Sequence, residues 1–386
     1  MTAGAELDVT ADMGPRLKSV RLPAGPDGAV HEVRFVRFGR PGARPKVYLQ
    51  AGLHADEFPG MLALRRLMEI LDARAERGAI KGEIVIAAAA NPIGLAQRES
   101  ETVVGRMLLG TRRNFNRDFP DLAALAAPSL DGELSDDPVA NVETIRAAMR
   151  DALDRLAPND AVEAMQIALL REACDSDVAL DVHADNDALL HLYATPWCWP
   201  MLADLAAEID ARAVLLCEDS GSSPFDEACT KPWRALATAF PEAAIPMACA
   251  SGTIELRSSN DVSEKAAHRD ARALERYLMR VGAVEGEPGG LPSLLCQPTA
   301  LEAMQQVRAT VEGVIVYRLQ LGDRVRPGDV IGEIVPPFGT PQPILAETEG
   351  VLFARHNQPW AWPGKVIAKV AGSVPLAGRS GDLLSP

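Results

Sequence analysis

Residues 83–90 read Glu-Ile-Val-Ile-Ala-Ala-Ala-Ala and are stopped by Asn91-Pro92. A near-continuous apolar run of this kind marks a strand covered on both faces. Just before it, Phe58 to Arg77 places Met61, Leu64, Leu67, Met68 and Leu71 three and four residues apart, the stripe of an amphipathic helix, and Gly78 and Gly82 bracket its end. Val47 to Ala51 is a further apolar strand. The alternation continues down the chain. Helical patterns cover Val139–Leu156, Asp160–Cys174, Met201–Arg212 and Val262–Val281, and strands are predicted at Val178–Asp185, Ala213–Cys217 and Ile245–Leu256. Such a chain is α/β, with a mixed, mostly parallel sheet and helices on both faces. Leu17–Leu22 and Val30–Phe38 flank Gly25-Pro26-Asp27-Gly28, a hairpin signal, and residues 1–14 read as frayed. Leu189–Ala194 fits strand or loop. Glu218 to Trp233 is rich in Ser, Gly and Pro and reads as a loop long enough to wall a site.

The pattern changes after the Gly/Pro-rich stretch Gly286–Pro292. From there on the chain has short strands and glycine turns, with Glu312-Gly313-Val314-Ile315-Val316 echoed by Glu349-Gly350-Val351-Leu352-Phe353. This predicts residues 1–285 as one domain and 293–386 as a small all-β domain with a faint internal repeat.

Charge and cysteines narrow the function. A formal net charge of −14 over 386 residues argues against a nucleic-acid or anionic-membrane surface. The six cysteines never form a Cys-x-x-Cys pair, so they read as reduced, mostly buried residues of a cytoplasmic protein. The first 14 residues lack the basic start and apolar core of a signal peptide, and the most apolar window, Ile84–Ala96, is too short to span a bilayer.

Candidate chemistry begins at Gly52-Leu53-His54-Ala55-Asp56-Glu57, a strand-to-helix turn. A tight turn can aim His54 and Glu57 at one point, and zinc takes imidazole nitrogen and carboxylate oxygen together. A solvated loop ending in a helix N-cap fits the same residues. Arg106, Arg112, Arg113 and Arg117 fall within twelve residues of an acidic protein. They are either a solvated, salt-bridged loop or a site for an anionic group that matches the guanidinium fork. His183 ends an apolar strand, with Asp181 two residues before it, where α/β sheets place their sites. Glu255 is a lone carboxylate in the apolar run Gly252–Leu256, facing either solvent or a site. His31, His268 and His356 read as surface residues, and His191 is near the site in sequence.

Taken in order, Gly-x-His54-x-x-Glu57, Asn116-Arg117 before Asp118-Phe119-Pro120, Asp181-x-His183 and Thr253-x-Glu255 resemble the zinc metallocarboxypeptidase fold, in its succinylglutamate desuccinylase/aspartoacylase branch. The resemblance runs from about Val47 to Val281. It implies one Zn2+ per chain on His54, Glu57 and His183, with Glu255 as the general base. It also implies Arg117 and Asn116 on a substrate carboxylate and Arg106 on the oxyanion. Arg112 is a further candidate for substrate binding, and Arg257 or Arg112 could supply a second cation for an acidic product. The wider fold has an Asp two residues before the Asn-Arg pair. Here that position is Asn114, which can still accept a proton from His54, though more weakly, and Asp181 could orient a ligand instead. The trailing domain resembles a lipoyl-like barrel-sandwich but carries Glu347-Thr348-Glu349-Gly350 where a modifiable lysine would sit, so it reads as a structural or lid module. Trp360 and Trp362 would cap a pocket or bury against the catalytic domain.

The resemblance implies a small-molecule N-acyl substrate and amide hydrolysis by metal-activated water. A metallocarboxypeptidase acting on peptide C-termini is the alternative, because both substrates present a carboxylate. A non-catalytic binding protein would not need the complete set of ligands and base. Acyl group, amine and oligomeric state stay open, a homo-oligomer included.

Overall fold

The computed structural model describes residues 16–25, 28–379, 381, 383 and 384. The expected frayed start, and the central pair of the expected hairpin turn, Pro26-Asp27, lie outside the described residues. The large sheet is formed by β1 (Leu17–Arg21), β2 (Glu32–Phe38), β3 (Lys46–Ala51), β4 (Glu83–Ala87), β5 (Val178–Asp185), β6 (His191–Ala194), β7 (Ala213–Leu216), β8 (Ala250–Ser258) and β9 (Pro298–Ala300). Their spatial order is β1-β2-β4-β3-β5-β8-β6-β7-β9. The β3–β4, β3–β5, β5–β8, β6–β7 and β7–β9 pairs are parallel, whereas β1–β2, β2–β4 and β6–β8 are antiparallel. The sheet is therefore mixed and mostly parallel.

Strand alternation divides the sheet into two faces. Val47, Leu49, Leu180, Val182, Leu192 and Ile254 point to one core, against α1 (Phe58–Glu76), α4 (Trp199–Glu208) and α6 (Glu264–Arg280). Tyr48, Val85 and Ala179 point to the other, against α2 (Pro138–Asp154), α3 (Ala161–Ala173) and α5 (Phe225–Ala239). Each fully buried Leu, Ile, Val or Phe there contributes about 1.5–3 kcal/mol. Among the described residues no helix is long and apolar enough to cross a membrane.

The α5 helix corrects the long-loop expectation for residues 218–233. Only 218–224 is irregular; Phe225, Ala228, Cys229, Pro232, Trp233 and Leu236 are all buried at helical spacing. Pro232 sits inside the helix and removes one hydrogen bond at the Ala228 carbonyl, which the buried stripe outweighs. The strand predicted from Ile245 starts later, at Ala250.

Residues 304–372 build two further sheets around Ile315, Ile331, Leu352 and Val370. The repeat glycines mark the crossing points of this small core. A Cβ on Gly313 would meet the Val335 carbonyl at 2.6 Å, and the equivalent atom on Gly350 would run into the Ala371 carbonyl. The small module also trades strands with the large one. Residues 298–300 pair with β7, and Asp187-Ala188 pairs with Ala354 and Arg355. Trp362 does not follow the expectation: it is 48 % exposed, with the Lys365 ammonium 4.4 Å from its ring centre, and neither Trp360 nor Trp362 lines the cavity described below.

Lys369, on the last long strand of the small module, pairs with Asp185 at the end of β5. Although burial raises a carboxyl, Lys369 holds Asp185 well below its ordinary range; although burial lowers an ammonium, Asp185 holds Lys369 above its own. The depressed acid stabilises the fold above its unfolded value near pH ~4, and the raised base stabilises it below its unfolded value near pH ~10.4. The contribution is therefore full between the two and is lost on either side. We predict that Lys369→Met, which leaves Asp185 buried and unpaired, costs about 3 kcal/mol in urea unfolding at pH 7. A loss under about 1 kcal/mol would show that the pair does not hold the modules together.

Candidate active site

One end of the large sheet carries the chemistry. Residues two apart share a face, so Asp181, His183 and Asp185 of β5 project to the same side. The register places Asp181 beside Thr253 and His183 beside Glu255 on β8, with Tyr193 and His191 of β6 opposite Thr253 and Glu255. His54 and Glu57 follow the C-terminal end of β3, the neighbour of β5 on its other side. The site thus opens beyond the carboxyl ends of parallel strands, where open α/β sheets bind ligands.

Glu57 lies between the two imidazoles. Its Oε1 is 3.0 Å from His54 Nδ1, and its Oε2 is 2.8 Å from His183 Nδ1. The Ala184 backbone N–H also donates to Oε2, at 3.0 Å. All three side chains are buried, and one ligand atom from each lies within 4.8 Å of the others.

The far side of the His54 ring sets its tautomer. Asn114 Oδ1 accepts from the Asn116 backbone N–H at 2.9 Å, which fixes that atom as an acceptor. His54 Nε2, 2.9 Å away, must then be the donor, so a neutral His54 carries its lone pair on Nδ1, towards Glu57. Arg106 Nη1 donates to that same nitrogen at 3.2 Å. His183 Nε2 lies 2.8 Å from Asp181 Oδ2, an ion-pair distance without full hydrogen-bond alignment, since neither Asp181 oxygen has a hydrogen-bond partner among the described residues. Asp181 thus stands behind His183 and Asn114 behind His54, as second partners of a ligand pair do.

A buried carboxylate facing two imidazole nitrogens calls for positive charge beside it. Burial and then Arg106 push His54 down to about 4, so it does not supply the proton. Although burial opposes its charge, Asp181 and Glu57 raise His183 well above the ordinary imidazole value, and the chain's own cation is there. Although burial opposes it, His54 and His183 hold Glu57 well below the usual carboxylate range. Two imidazole nitrogens plus a carboxylate are a donor set for a divalent metal, with room for an open position. The residues fit such an ion.

Around the cluster is a cavity of about 520 Å³. Arg106, Asn116, Arg117, Thr253 and Glu255 line it, together with His54, Glu57 and His183. Glu255 Oε2 is buried without a hydrogen-bond partner, and burial followed by the Glu57 charge pushes its carboxyl up to about 8. Arg106 reaches the cluster because its loop lies flat on the ligand turn. The Gly105 carbonyl accepts from the Ala55 N–H at 3.0 Å, and a Cβ on Gly105 would meet the Asp56 nitrogen at 2.5 Å. Asn116 Oδ1 accepts from the Phe225 N–H at 2.9 Å, which pins the start of α5 to the Asn116-Arg117 loop.

Other sequence candidates sit elsewhere. Arg112 is exposed and outside the cavity, on a left-handed residue with φ of 60°. Arg113 is bonded to Asp160 and Gln166, and Arg257 to Asp261 and Asp270. His191 is fully buried outside the cavity lining, between Tyr193 and Phe353, with Nδ1 on the Leu189 carbonyl. His356 is the reverse case. Expected at the surface, it lines the cavity from the small module, as do Gln306, Arg355 and Lys369. Asp226 and Tyr193 also line it. Alternation along β6 could have pointed to Tyr193. Asp226 was hidden by reading its helix as a loop.

The sequence model of the succinylglutamate desuccinylase/aspartoacylase catalytic domain matches residues 43–281. Among solved structures, one succinylglutamate desuccinylase/aspartoacylase family protein, from Shewanella amazonensis, is 23% identical; the match covers 92% of this chain and 98% of that one, with a TM-score of 0.79. Another family protein, from Shewanella frigidimarina, is 23% identical over 92% and 96% of the two chains, with a TM-score of 0.78. The product-bound ectoine utilization protein EutE (DoeB) of Ruegeria pomeroyi is 17% identical over 96% and 99%, with a TM-score of 0.68. At these identities the structures speak for the fold, small module included. No curated protein matches the sequence.

We predict that the purified protein binds one equivalent of divalent metal, measured by elemental analysis, and that His183→Ala abolishes it. Asn114→Ala should weaken binding by roughly 10–100-fold in a metal titration. Unchanged affinity in that variant would mean that Asn114 does not orient His54.

Proposed function

Because the chain belongs to the succinylglutamate desuccinylase/aspartoacylase family of deacylases, we propose that it is a zinc-dependent amidohydrolase. In this reading it removes an acyl group from an N-acyl amino acid or a similar small carboxylate-bearing amide. The observation that carries the reading is Glu255. Its carboxylate has an unpartnered buried oxygen in a cavity it shares with the His54–Glu57–His183 cluster, and it sits beside His183 in register.

In this reading His54, Glu57 and His183 hold one Zn2+. Such an ion supplies Lewis acidity, polarising a carbonyl and making water a nucleophile at neutral pH. Glu255 takes the proton from the attacking water on a carboxylate oxygen and returns it to the leaving amine nitrogen. Arg106, whose guanidinium touches His54 and lies 3.6 Å from Glu57, stabilises negative charge growing on the carbonyl oxygen. Arg117 holds the substrate carboxylate, with Asn116 fixing the loop that presents it. Arg112 has no part in this reading, because it stands outside the cavity.

The enclosure favours a small amide over a peptide. Ala354, Arg355, His356 and Lys369 of the second module wall the crevice, leaving about 520 Å³. That volume suits a compact ligand.

The test is a panel of N-acyl amino acids set against short peptides. We expect release of the free amino acid from the former. Glu255→Gln should lower kcat by about 10²–10⁴-fold, and Arg106→Ala should lower kcat by about 10²–10³-fold. Arg117→Ala should act mainly on KM. Peptide cleavage without deacylation would favour the carboxypeptidase, and full activity in Glu255→Gln would remove the assigned base.

A further inference from the structure

The first turn of α5 brings to the cavity an acid that the proposed reaction does not use. Asp226 lines the cavity, and its carboxylate makes no ion pair among the described residues. The neighbouring Glu227 is different: it is paired with Lys231 and accepts from the Ser220 N–H. Around Asp226 stand the Thr253 hydroxyl and the carboxylates of Glu227 and Asp181. Burial, followed by the Glu227 charge, pushes its carboxyl up to about 7. The Arg117 guanidinium is the positive charge that Asp226 feels across the cavity, and no cation pairs with this acid directly among the described residues.

A second observation points to the same missing ligand. Thr195 is 3 % exposed and lines the cavity, yet its Oγ1 has no hydrogen-bond partner among the described residues. An unmade hydrogen bond at a buried hydroxyl is costly, and a bound group can supply it. Thr195 follows the end of β6, whose Ala194 and Tyr193 stand opposite Gly252 and Thr253 of β8. A primary ammonium carries three donors and a charge. It would answer both a carboxylate that has hydrogen bonds from Thr253 and the Glu227 N–H but no ion pair among the described residues, and the idle Thr195 hydroxyl.

The place of Asp226 says which part of a substrate reaches it. The Phe225 N–H is bonded to Asn116 Oδ1, so Asp226 is fastened beside the Asn116-Arg117 pair. If that pair holds the carboxylate of an amino acid, the group next to it is that amino acid's side chain. We infer that Asp226, with Thr253 and Thr195, forms a subsite for a cationic side chain, so that the amine half of the substrate is a basic amino acid. The orientation rests on the deacylase reading, whereas the presence of a cation subsite does not.

Binding of free amino acids separates the two. Calorimetric titration of the metal-loaded protein with ornithine, lysine, norvaline, norleucine and glutamate needs no turnover. The expected result is that ornithine or lysine binds at least tenfold tighter than its neutral counterpart and than glutamate. In Asp226→Asn that ratio should fall to near one, with Asp226→Glu retaining part of it. Equal binding of norvaline and ornithine, tighter binding of glutamate, or no binding of either basic amino acid would overturn the inference on the wild-type protein alone. So would an unchanged ratio in a folded Asp226→Asn protein. Selective binding without hydrolysis of the N-acyl derivatives would leave the subsite standing and remove the deacylase reading. Hydrolysis of N-acyl norvaline with no preference for N-acyl ornithine would do the opposite.

Discussion

Glu57 is the point on which the site turns. Two imidazoles present ring nitrogens to one buried carboxylate, with Asn114 bonded behind His54 and Asp181 standing behind His183. Three different parts of the chain meet there: the turn after β3, the loop around Asn114, and the end of β5. Glu57 also accepts from the Ala184 N–H, which ties the first of these to the last. The geometry gathers positive charge around that carboxylate, from His183 and from Arg106. The same carboxylate acts on Glu255, because after burial the Glu57 charge is what drives its proton affinity upward most. Neutralising Glu57 would therefore lower the proton affinity of Glu255, so the cluster and Glu255 are coupled electrostatically as well as by register.

The second module changes the solvent in which this chemistry takes place. Its strands supply Arg355, His356 and Lys369 to the cavity wall, and Lys369 is tied to the strand that carries His183. Charges inside a walled cavity act through less water, so each fixed guanidinium or carboxylate weighs more there than on an open sheet edge. Selectivity follows from the same enclosure. A substrate fits best if its own polar groups answer those the walls leave without partners, and Glu255 Oε2 and Thr195 Oγ1 are two such groups among the described residues.

Much of this was legible in the sequence. The apolar runs at 47–51, 83–87 and 178–185 name the central strands, and the alternation within 178–185 already puts Asp181 and His183 on one face. His54, Glu57, His183 and Glu255 stand at strand ends or on a late strand, and the fold brings them together. What was not legible has physical reasons. The α5 helix hides because Pro232 lies within it and Ser222, Ser223 and Pro224 precede it, although its buried stripe keeps helical spacing. Arg106, Arg112 and Arg113 are indistinguishable by composition; only the folded loop decides that one faces the cavity, one faces solvent and one binds Gln166. His356 belongs to a module whose docking no local pattern encodes. The strand at 298–300 is three residues long and acquires its identity from its partner in β7.

The exchange of strands between the modules also bears on the order in which a ribosome makes the protein. His54, Glu57, His183 and Glu255 all emerge before residue 298, whose strand completes the large sheet, and well before Lys369 closes the wall. The nascent chain thus carries the whole His54–Glu57–His183 cluster before the second-module residues that wall the crevice have been made.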